Sequence, residues 1–185
     1  LNALATALTS LISNDDLVRA LKQYEPEFLN HYRNIMASKI GLEEYQPDDE
    51  QLINQLLELL QRNNVDYTIF FRALSQFADS NKTIRDQFID REAFDVWAQK
   101  YSARLAQQKL TDHQRQQQMN AVNPAYVLRN YMAQAAIDAA QQGDYSEVNL
   151  LLEVLQNPFK EHSQGEKYAG LPPDWADQLS VSCSS

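Results

Sequence analysis

The sequence predicts an all-α fold, an irregular multi-helix bundle with a flexible C-terminal tail. Only 4 of the 185 residues are glycine and 6 are proline, whereas Leu, Ala, Gln, Asp and Glu are abundant, a balance that favours helix over sheet. Apolar residues recur every three or four positions through most of the chain, which is the spacing of an amphipathic helix. No alternating stretch of useful strand length occurs, and no period of about 20–50 residues indicates a repeat array.

Caps and breakers divide the first part of the chain into three helices. The first is predicted over residues 1–12, and a second, short helix is capped at Ser13 and ends near Lys22. Pro26 fits the first position of a third helix, because its missing N–H would have no helical partner there in any case. Gly41 is expected to end that helix in a left-handed conformation.

Proline and acidic residues mark the next helix starts. The run from Pro47 to Glu50 opens a strongly apolar helix, since carboxylates stabilise the positive end of a helix dipole. Asp66 caps a segment rich in aromatic residues. Residues 78–82 are predicted to form a polar loop, and Asp90 begins a helix that extends to Leu105.

Three more segments complete the helical body. Thr111 opens a glutamine-rich helix, and Ser146 opens the last one. Between them, the Asn123-Pro124 pair is a cap followed by proline, and it predicts a long, alanine-rich central helix from Ala125 to Gln142. The side chains expected to fill space around this helix are Val127, Leu128, Tyr131 and Ile137.

The chain is predicted to divide into a helical domain, residues 1–159, and a mostly extended or flexible tail, residues 160–185, that ends in Cys183-Ser184-Ser185. Within the tail, the run from Leu171 to Trp175 is able to dock on the body or to start a short helical turn. Cys183 is the only cysteine, and its serine neighbours near the chain end favour an exposed, reactive thiol. The alternative is a thiol without a role at a polar terminus.

Composition argues against several classes of function. The formal net charge of −9 disfavours a nucleic-acid surface, which needs clustered Lys and Arg. The longest apolar runs, such as Leu150 to Leu152, are far too short to span a bilayer, so no membrane partner is expected. A single cysteine forms no internal disulfide framework, which predicts a reducing, cytoplasmic location.

No catalytic or metal-binding motif is recognisable. The four glycines never cluster into a phosphate-binding loop. His31, His113 and His162 are isolated, so each is explained more readily as a solvated or capping histidine than as a metal ligand. We therefore assign no catalytic residue, metal ligand or cofactor site to this chain.

Arg129 is the candidate for a functional contact, together with its neighbours Tyr126 and Asn130. A functional arginine would bind a phosphate or carboxylate through two parallel hydrogen bonds. A structural one would tie this segment to a neighbouring loop or domain. The structural role is favoured because no phosphate-binding loop accompanies the arginine. Arg129, Asn130 and Tyr126 are accordingly predicted to form an inter-domain contact.

Several motifs in the chain resemble the C-terminal part of the selenoprotein O-like protein adenylyltransferases. They occur in the expected order, and the resemblance extends from Leu1 to Ser185. The motifs are Asp66-Tyr67-Thr68 with Phe70 to Leu74, Asn123 to Tyr131, Ala135 to Ala140, Leu152 to Leu155, Asn157-Pro158-Phe159, Pro172 to Trp175 and Cys183-Ser184-Ser185.

The resemblance implies that the chain is the non-catalytic, helical C-terminal domain of a larger bacterial protein with a kinase-like fold. Members of this family transfer AMP from ATP to Ser, Thr or Tyr hydroxyls of proteins, with Mg²⁺ or Mn²⁺. Their nucleotide-binding and catalytic motifs lie upstream of the matched region. The expected partners are thus the N-terminal kinase-like region, which would bind ATP and metal, and the protein substrates of the complete enzyme.

The resemblance also implies a redox role for Cys183. Some family members have selenocysteine at the matching position, and others have cysteine. Such a terminal thiol would pair with a second thiol elsewhere in the full protein. The alternative to this interpretation is a free-standing helical module that binds another protein, and an exposed apolar patch is expected in both cases.

Overall fold

The structure, a computed structural model, describes residues 1–179 of the chain, apart from the side chains of residues 79, 80 and 177. The described residues form ten α-helices and no β-strand, which confirms the all-α prediction. The helices are α1 Asn2–Ala7, α2 Asn14–Lys39, α3 Asp49–Arg62, α4 Tyr67–Leu74, α5 Phe77–Arg85, α6 Arg91–Leu105, α7 Asp112–Val122, α8 Asn130–Gln141, α9 Ser146–Gln156 and α10 Glu166–Ala169, followed by a 3₁₀ helix at Asp174–Gln178.

The helices pack around two apolar cores. The first core lies between the C-terminal turn of α2 and helices α3 to α7, and its largest fully buried side chains are Phe70, Phe71, Phe94, Trp97 and Tyr101. The second core lies between α8, α9 and the segment after them, and it consists of Tyr126, Tyr131, Met132, Ala136, Leu151, Val154 and Tyr168. The boundary between the cores falls at Asn123, where α7 ends.

Two aromatic side chains of the first core donate hydrogen bonds from their polar groups to backbone carbonyls. Trp97 stacks on Tyr101 with ring centroids 4.9 Å apart. The indole N–H of Trp97 donates to the Leu52 carbonyl at 3.0 Å, and the Tyr101 hydroxyl donates to the Ile40 carbonyl at 2.7 Å. Because these donors are paired, the rings bury apolar area without the cost of an unsatisfied polar group.

A buried ion pair joins the start of α3 to α6. Arg104 donates to the two carboxylate oxygens of Asp49 at 2.7 and 3.1 Å, and the Gln46 N–H donates to the same carboxylate at 2.8 Å. From the sequence, the position of Asp49 at the start of α3 is explained by the helix dipole alone. Since its side chain is only 2% exposed, it also requires a cationic partner, because an unpaired buried charge is costly to desolvate.

Local capping signals place several helix starts where they were predicted. In each case a side-chain oxygen accepts a hydrogen bond from the backbone N–H three residues later, which pairs a donor that the helix leaves free. The residues that cap in this way are Ser13, Asp66, Asp90 and Thr111.

The predicted break at Pro26 is wrong, because α2 is one helix with Pro26 inside it. Proline lacks the N–H that would bond to the Lys22 carbonyl, which makes this position unfavourable. Both residues are exposed, so water is able to replace the missing donor. Gly41 follows the helix with a φ of +71°, as predicted, and a Cβ there would lie 2.6 Å from the Met119 sulfur. Glycine is therefore required both for the backbone and for the space.

Two further boundaries differ from the prediction. Residues 78–82, predicted to form a loop, lie within α5, and α1 ends at Ala7 rather than near Ile12. Phe77 and Ile84 lie two helical turns apart on α5, and both pack in the first core. This apolar contact stabilises a helix that the polar composition between them did not indicate.

The predicted start of the central helix at Ala125 is wrong, because residues 123–129 are not helical and α8 begins only at Asn130. The Ala125 N–H donates to the Pro158 carbonyl at 2.8 Å, so this segment finds its hydrogen bonds outside a helix. Tyr131 is buried as expected. The other three side chains expected to fill space are instead 43–54% exposed: Val127, Leu128 and Ile137.

The segment after α9 packs against the second core. Tyr168 in α10 is buried, and the ring of Trp175 contacts Tyr131 edge-on with centroids 6.1 Å apart. The helical turn predicted after Leu171 is present as the 3₁₀ helix. Residues 180–185, which include Cys183, lie outside the described part of the chain.

Ala136 provides a test of the packing of α8. Its side chain is 6% exposed in the second core, so Ala136→Leu should overpack the core and lower the free energy of unfolding by about 1–3 kcal/mol. The matched control is Ile137→Leu on the exposed side of the same helix, which should change it by less than about 0.5 kcal/mol. Urea unfolding measures both variants. Equal midpoints for the two variants would contradict this orientation of α8.

Candidate functional site

The candidate residue Arg129 forms a bidentate ion pair with Asp66. The two terminal guanidinium nitrogens of Arg129 donate to the two carboxylate oxygens of Asp66 at 2.5 and 2.9 Å. Asp66 also caps α4, because one of those oxygens accepts the Ile69 N–H at 3.0 Å. The arginine side chain is 20% exposed and the aspartate 17%. A single carboxylate therefore starts α4 and binds the residue that precedes α8.

The pKa directions of the pair agree with its geometry. Burial alone would raise the pKa of the Asp66 carboxyl, but the hydrogen bonds from Arg129 and from the Ile69 N–H outweigh burial and hold that pKa below its ordinary value. The hydrogen bonds to Asp66 raise the pKa of Arg129. Both groups thus remain charged at neutral pH, and the guanidinium is already occupied by a carboxylate of its own chain.

A second arginine, Arg72 of α4, holds the boundary between the two cores. Its Nη1 donates to the carbonyl oxygens of Asn120 and Asn123 at 3.1 and 3.2 Å, and its Nη2 lies 3.4 Å from a carboxylate oxygen of Glu161. The Asn123 side-chain amide donates to the Lys39 carbonyl at 2.8 Å. The contacts of Arg72 tie the end of α7 and the segment after α9 to α4, and the Asn123 amide ties the end of α7 to the end of α2.

Tyr126 anchors the non-helical segment, residues 123–129, from the opposite side. It is 4% exposed. Its hydroxyl accepts the His162 N–H at 3.0 Å and lies 3.4 Å from the His162 carbonyl, to which it donates. Tyr126 and Arg72 line a cleft of about 580 Å³ between α4 and the segment after α9. The role of Tyr126 in this chain is to hold residues 123–129 against the second core.

The structure brings only part of the predicted contact to the surface. Asn130 is exposed at the start of α8, and Leu128 and Val127 are exposed beside it, whereas Tyr126 and most of Arg129 face inward. We call the three exposed residues the rim. Cys183 cannot be related to them, since it lies outside the described residues.

Sequence reasoning missed the partners of these residues. Asp66 was identified as a helix cap but not as the partner of Arg129, from which it is 63 positions distant. Arg72 was noted only within a motif. Asn123 was predicted to cap the start of the central helix, whereas the structure places it at the C-terminal end of α7. A buried charge needs an opposite charge, and that rule was the one available signal. It could not select Asp66 among the acidic residues of the chain.

Two general properties of the described region bear on function. Among the side chains that the structure describes, no group of three or more from His, Cys, Asp or Glu lies close enough together to hold a metal ion. Within the same residues, none of the helices combines the length and the apolar composition needed to cross a membrane.

Comparison with known proteins identifies relatives of the whole chain. A family model described as protein adenylyltransferase SelO matches residues 1–156. The protein nucleotidyltransferase YdiU of Pseudomonas fluorescens strain Pf0-1 is 48% identical over 188 residues, which cover 100% of this chain and 39% of that protein. The proteins of the same name from Herminiimonas arsenicoxydans and Vibrio vulnificus strain CMCP6 are each 47% identical and are covered to 38% and 39%. The chain thus spans about two fifths of the length of these relatives, in their C-terminal region.

Replacing Asp66 by Asn tests the ion pair separately from the cap, since Asn also caps helices well. Asp66→Asn should lower the free energy of unfolding at pH 7 by about 1.5–3 kcal/mol, the usual contribution of hydrogen bonds to charged groups. Because the pKa of Asp66 is lower in the folded chain, its contribution is complete above the unfolded pKa. The difference between wild type and variant should therefore shrink as the pH falls below about 4.

Asp95→Asn is the matched control, because Asp95 also binds an arginine, Arg85, through two hydrogen bonds of 2.7 and 2.8 Å, but at an exposed site. Its replacement should cost clearly less, since water screens exposed pairs. Urea unfolding at several pH values measures both variants. Equal costs at pH 7 would show that the Asp66–Arg129 pair does not stabilise the junction beyond a surface ion pair.

Proposed function

Since the chain belongs to the SelO family of protein adenylyltransferases, we propose that it is the helical C-terminal part of an enzyme that transfers AMP from ATP to hydroxyl groups of proteins. The match over residues 1–156 and the coverage of about two fifths of each relative support this proposal. Nucleotide transfer then belongs to the complete protein. The role that we propose for this chain is to support the kinase-like region and to carry a redox-active cysteine.

The buried ion-paired residues in the described part of the chain do not fit an ATP–metal site. Asp49 and Asp66 are the least exposed carboxylates of the described ion pairs, and each is bound by an arginine. Arg129 and Arg72 are in turn occupied by oxygens of the chain itself. We therefore assign ATP and its Mg²⁺ or Mn²⁺ to the kinase-like region, and we place the enzyme in the cytoplasm, which agrees with the single cysteine.

The rim formed by Val127, Leu128 and Asn130 is our candidate for the inter-domain contact. The observation that carries this assignment is the anchoring of the chain at Tyr126 and Arg129, which flank Val127 and Leu128 and immediately precede Asn130. Arg129 binds Asp66, and Tyr126 binds His162, so the backbone between them is held in one conformation while the rim side chains face outward. A surface fixed in this way binds a partner with little loss of conformational entropy.

The central experiment compares two labelled forms of ATP with the full-length protein and Mg²⁺ or Mn²⁺. Label in the α-phosphate should become covalently bound to protein, because AMP retains that phosphate, whereas label in the γ-phosphate should not. Incorporation of the γ-label would indicate kinase activity instead. Incorporation of neither label would favour the alternative function, a helical module that binds another protein.

Cys183→Ser in the full-length protein tests the redox proposal in the same assay. If the Cys183 thiol pairs with a second thiol, transfer by the wild-type protein should change on addition of a reducing agent, and transfer by the variant should not. Ser184→Ala is the matched control and should retain the wild-type response. A variant that still responds to the reducing agent would exclude Cys183 as the switch while leaving the transferase proposal intact.

A further inference from the structure

Helix α2 carries a row of apolar side chains that nothing in the described part of the chain covers. Tyr24, Phe28, Tyr32 and Ile35 follow one another at intervals of four, four and three residues, so they share one face of the helix. We call them the aromatic stripe. Each side chain is between 40% and 58% exposed. The rings stack along the helix, with centroids 5.9 Å apart for Tyr24 and Phe28 and 6.4 Å apart for Phe28 and Tyr32.

The stripe lies on a part of α2 that projects from the body. Met36 and Ala37, near the C-terminal end, are the buried residues of this helix. The N-terminal turns of α2 contact α1, and Leu17 and Leu21 in these turns of α2 are half-buried. Residues 14–35 therefore extend for roughly 30 Å with most of their surface exposed. An amphipathic helix of this kind normally turns its apolar face toward a core, and here that face is open.

The stripe continues onto the body beside the junction of the two cores. The Tyr67 hydroxyl lies 3.8 Å from the sulfur of Met36, one turn beyond Tyr32 on α2, and the Tyr67 side chain is itself 44% exposed. Tyr67 directly follows Asp66, the partner of Arg129. The open surface thus leads from the projecting helix to the ion pair that orders the rim.

The composition of the stripe is that of a protein interface rather than of a solvated helix. Its three aromatic side chains expose on the order of 300 Å², taking about half of the 150–250 Å² that each is able to bury. This is comparable with the largest apolar patch of a typical monomer, and such patches commonly mark binding sites. Tyr and Phe are enriched in the centres of interfaces, where the Tyr hydroxyl retains a hydrogen bond.

We propose that the aromatic stripe of α2 docks onto an apolar surface of the kinase-like region of the same polypeptide. This inference rests on the proposed function. The relatives continue for well over half of their length outside the matched region, and a tethered partner has an effective concentration in the millimolar range. A second copy of this chain is a poorer partner, because each copy carries a net charge of −9 and like charges oppose association.

Photochemical cross-linking in the full-length protein tests this assignment. A benzoylphenylalanine placed at Phe28 should, on irradiation, link to a peptide of the kinase-like region within a monomer, as identified by mass spectrometry. The same amino acid at Gln23, exposed on the polar side of α2, is the control and should give little product. Links between two monomers, or links to that region no more frequent than from position 23, would overturn the proposal.

Thermal unfolding of full-length Phe28→Glu and Gln23→Glu provides a second test. Both substitutions add one negative charge to α2, and Glu favours helix, so neither should disrupt the helix itself. Phe28→Glu should lower the Tm by more than about 2 °C relative to Gln23→Glu if the stripe is covered, and equal Tm values would contradict docking. The transfer assay on the same samples tests the transferase proposal independently of the docking proposal. A wild-type protein that shows no transferase activity but forms the cross-link within one monomer would contradict the first proposal and support the second.

Discussion

The arrangement of this chain depends on the ion pair between Asp66 and Arg129. The carboxylate of Asp66 accepts hydrogen bonds from both the Ile69 N–H, in the first turn of α4, and the guanidinium of Arg129. One end of the contact belongs to the first core and the other directly precedes α8 of the second core. The relative position of the two cores is therefore fixed by directional hydrogen bonds between charged groups, which are stronger and more specific than neutral ones.

Other contacts at the junction of the two cores are also directional hydrogen bonds. Arg72 bonds to carbonyls at the end of α7, Asn123 bonds to the end of α2, and Tyr126 bonds to the backbone of His162. Apolar contact alone would allow the two cores to slide against each other, since it is not directional. A network of buried donors and acceptors has one low-energy arrangement, because any displacement leaves a polar group unpaired. We infer that the junction presents the rim and the aromatic stripe in a defined orientation.

The sequence predicted what local chemistry controls. Helices that start at Asp66, Asp90 and Thr111 were found because the capping side chain and the helix it caps are neighbours in the chain. The continuity of α2 through Pro26 and the helix over residues 78–82 were missed, since solvent exposure in the first case and contact with a distant core in the second decided the outcome.

The same limit applies to the candidate site. Arg129 was selected from its neighbours in the sequence, and the structure shows its guanidinium bound to Asp66 of its own chain. Its partner was not identifiable, because Asp66 lies at the start of another helix, 63 positions away, and the sequence does not show which distant residues come together in space. The apolar residues Val127 and Leu128 were expected inside a helix. They are exposed because the segment is not helical and bonds to the Pro158 carbonyl instead.

The central claim is that, among the contacts between the two cores, the Asp66–Arg129 pair is the one on which the attachment of α8 and α9 depends. Native-state hydrogen exchange of wild type and Arg129→Gln tests it most directly, since exchange reports the free energy of local opening for each helix. We predict that amides of α8 and α9 lose protection in the variant while those of α3 and α6 retain it. Unchanged protection of α8 and α9, or an equal loss in all four helices, would contradict the claim.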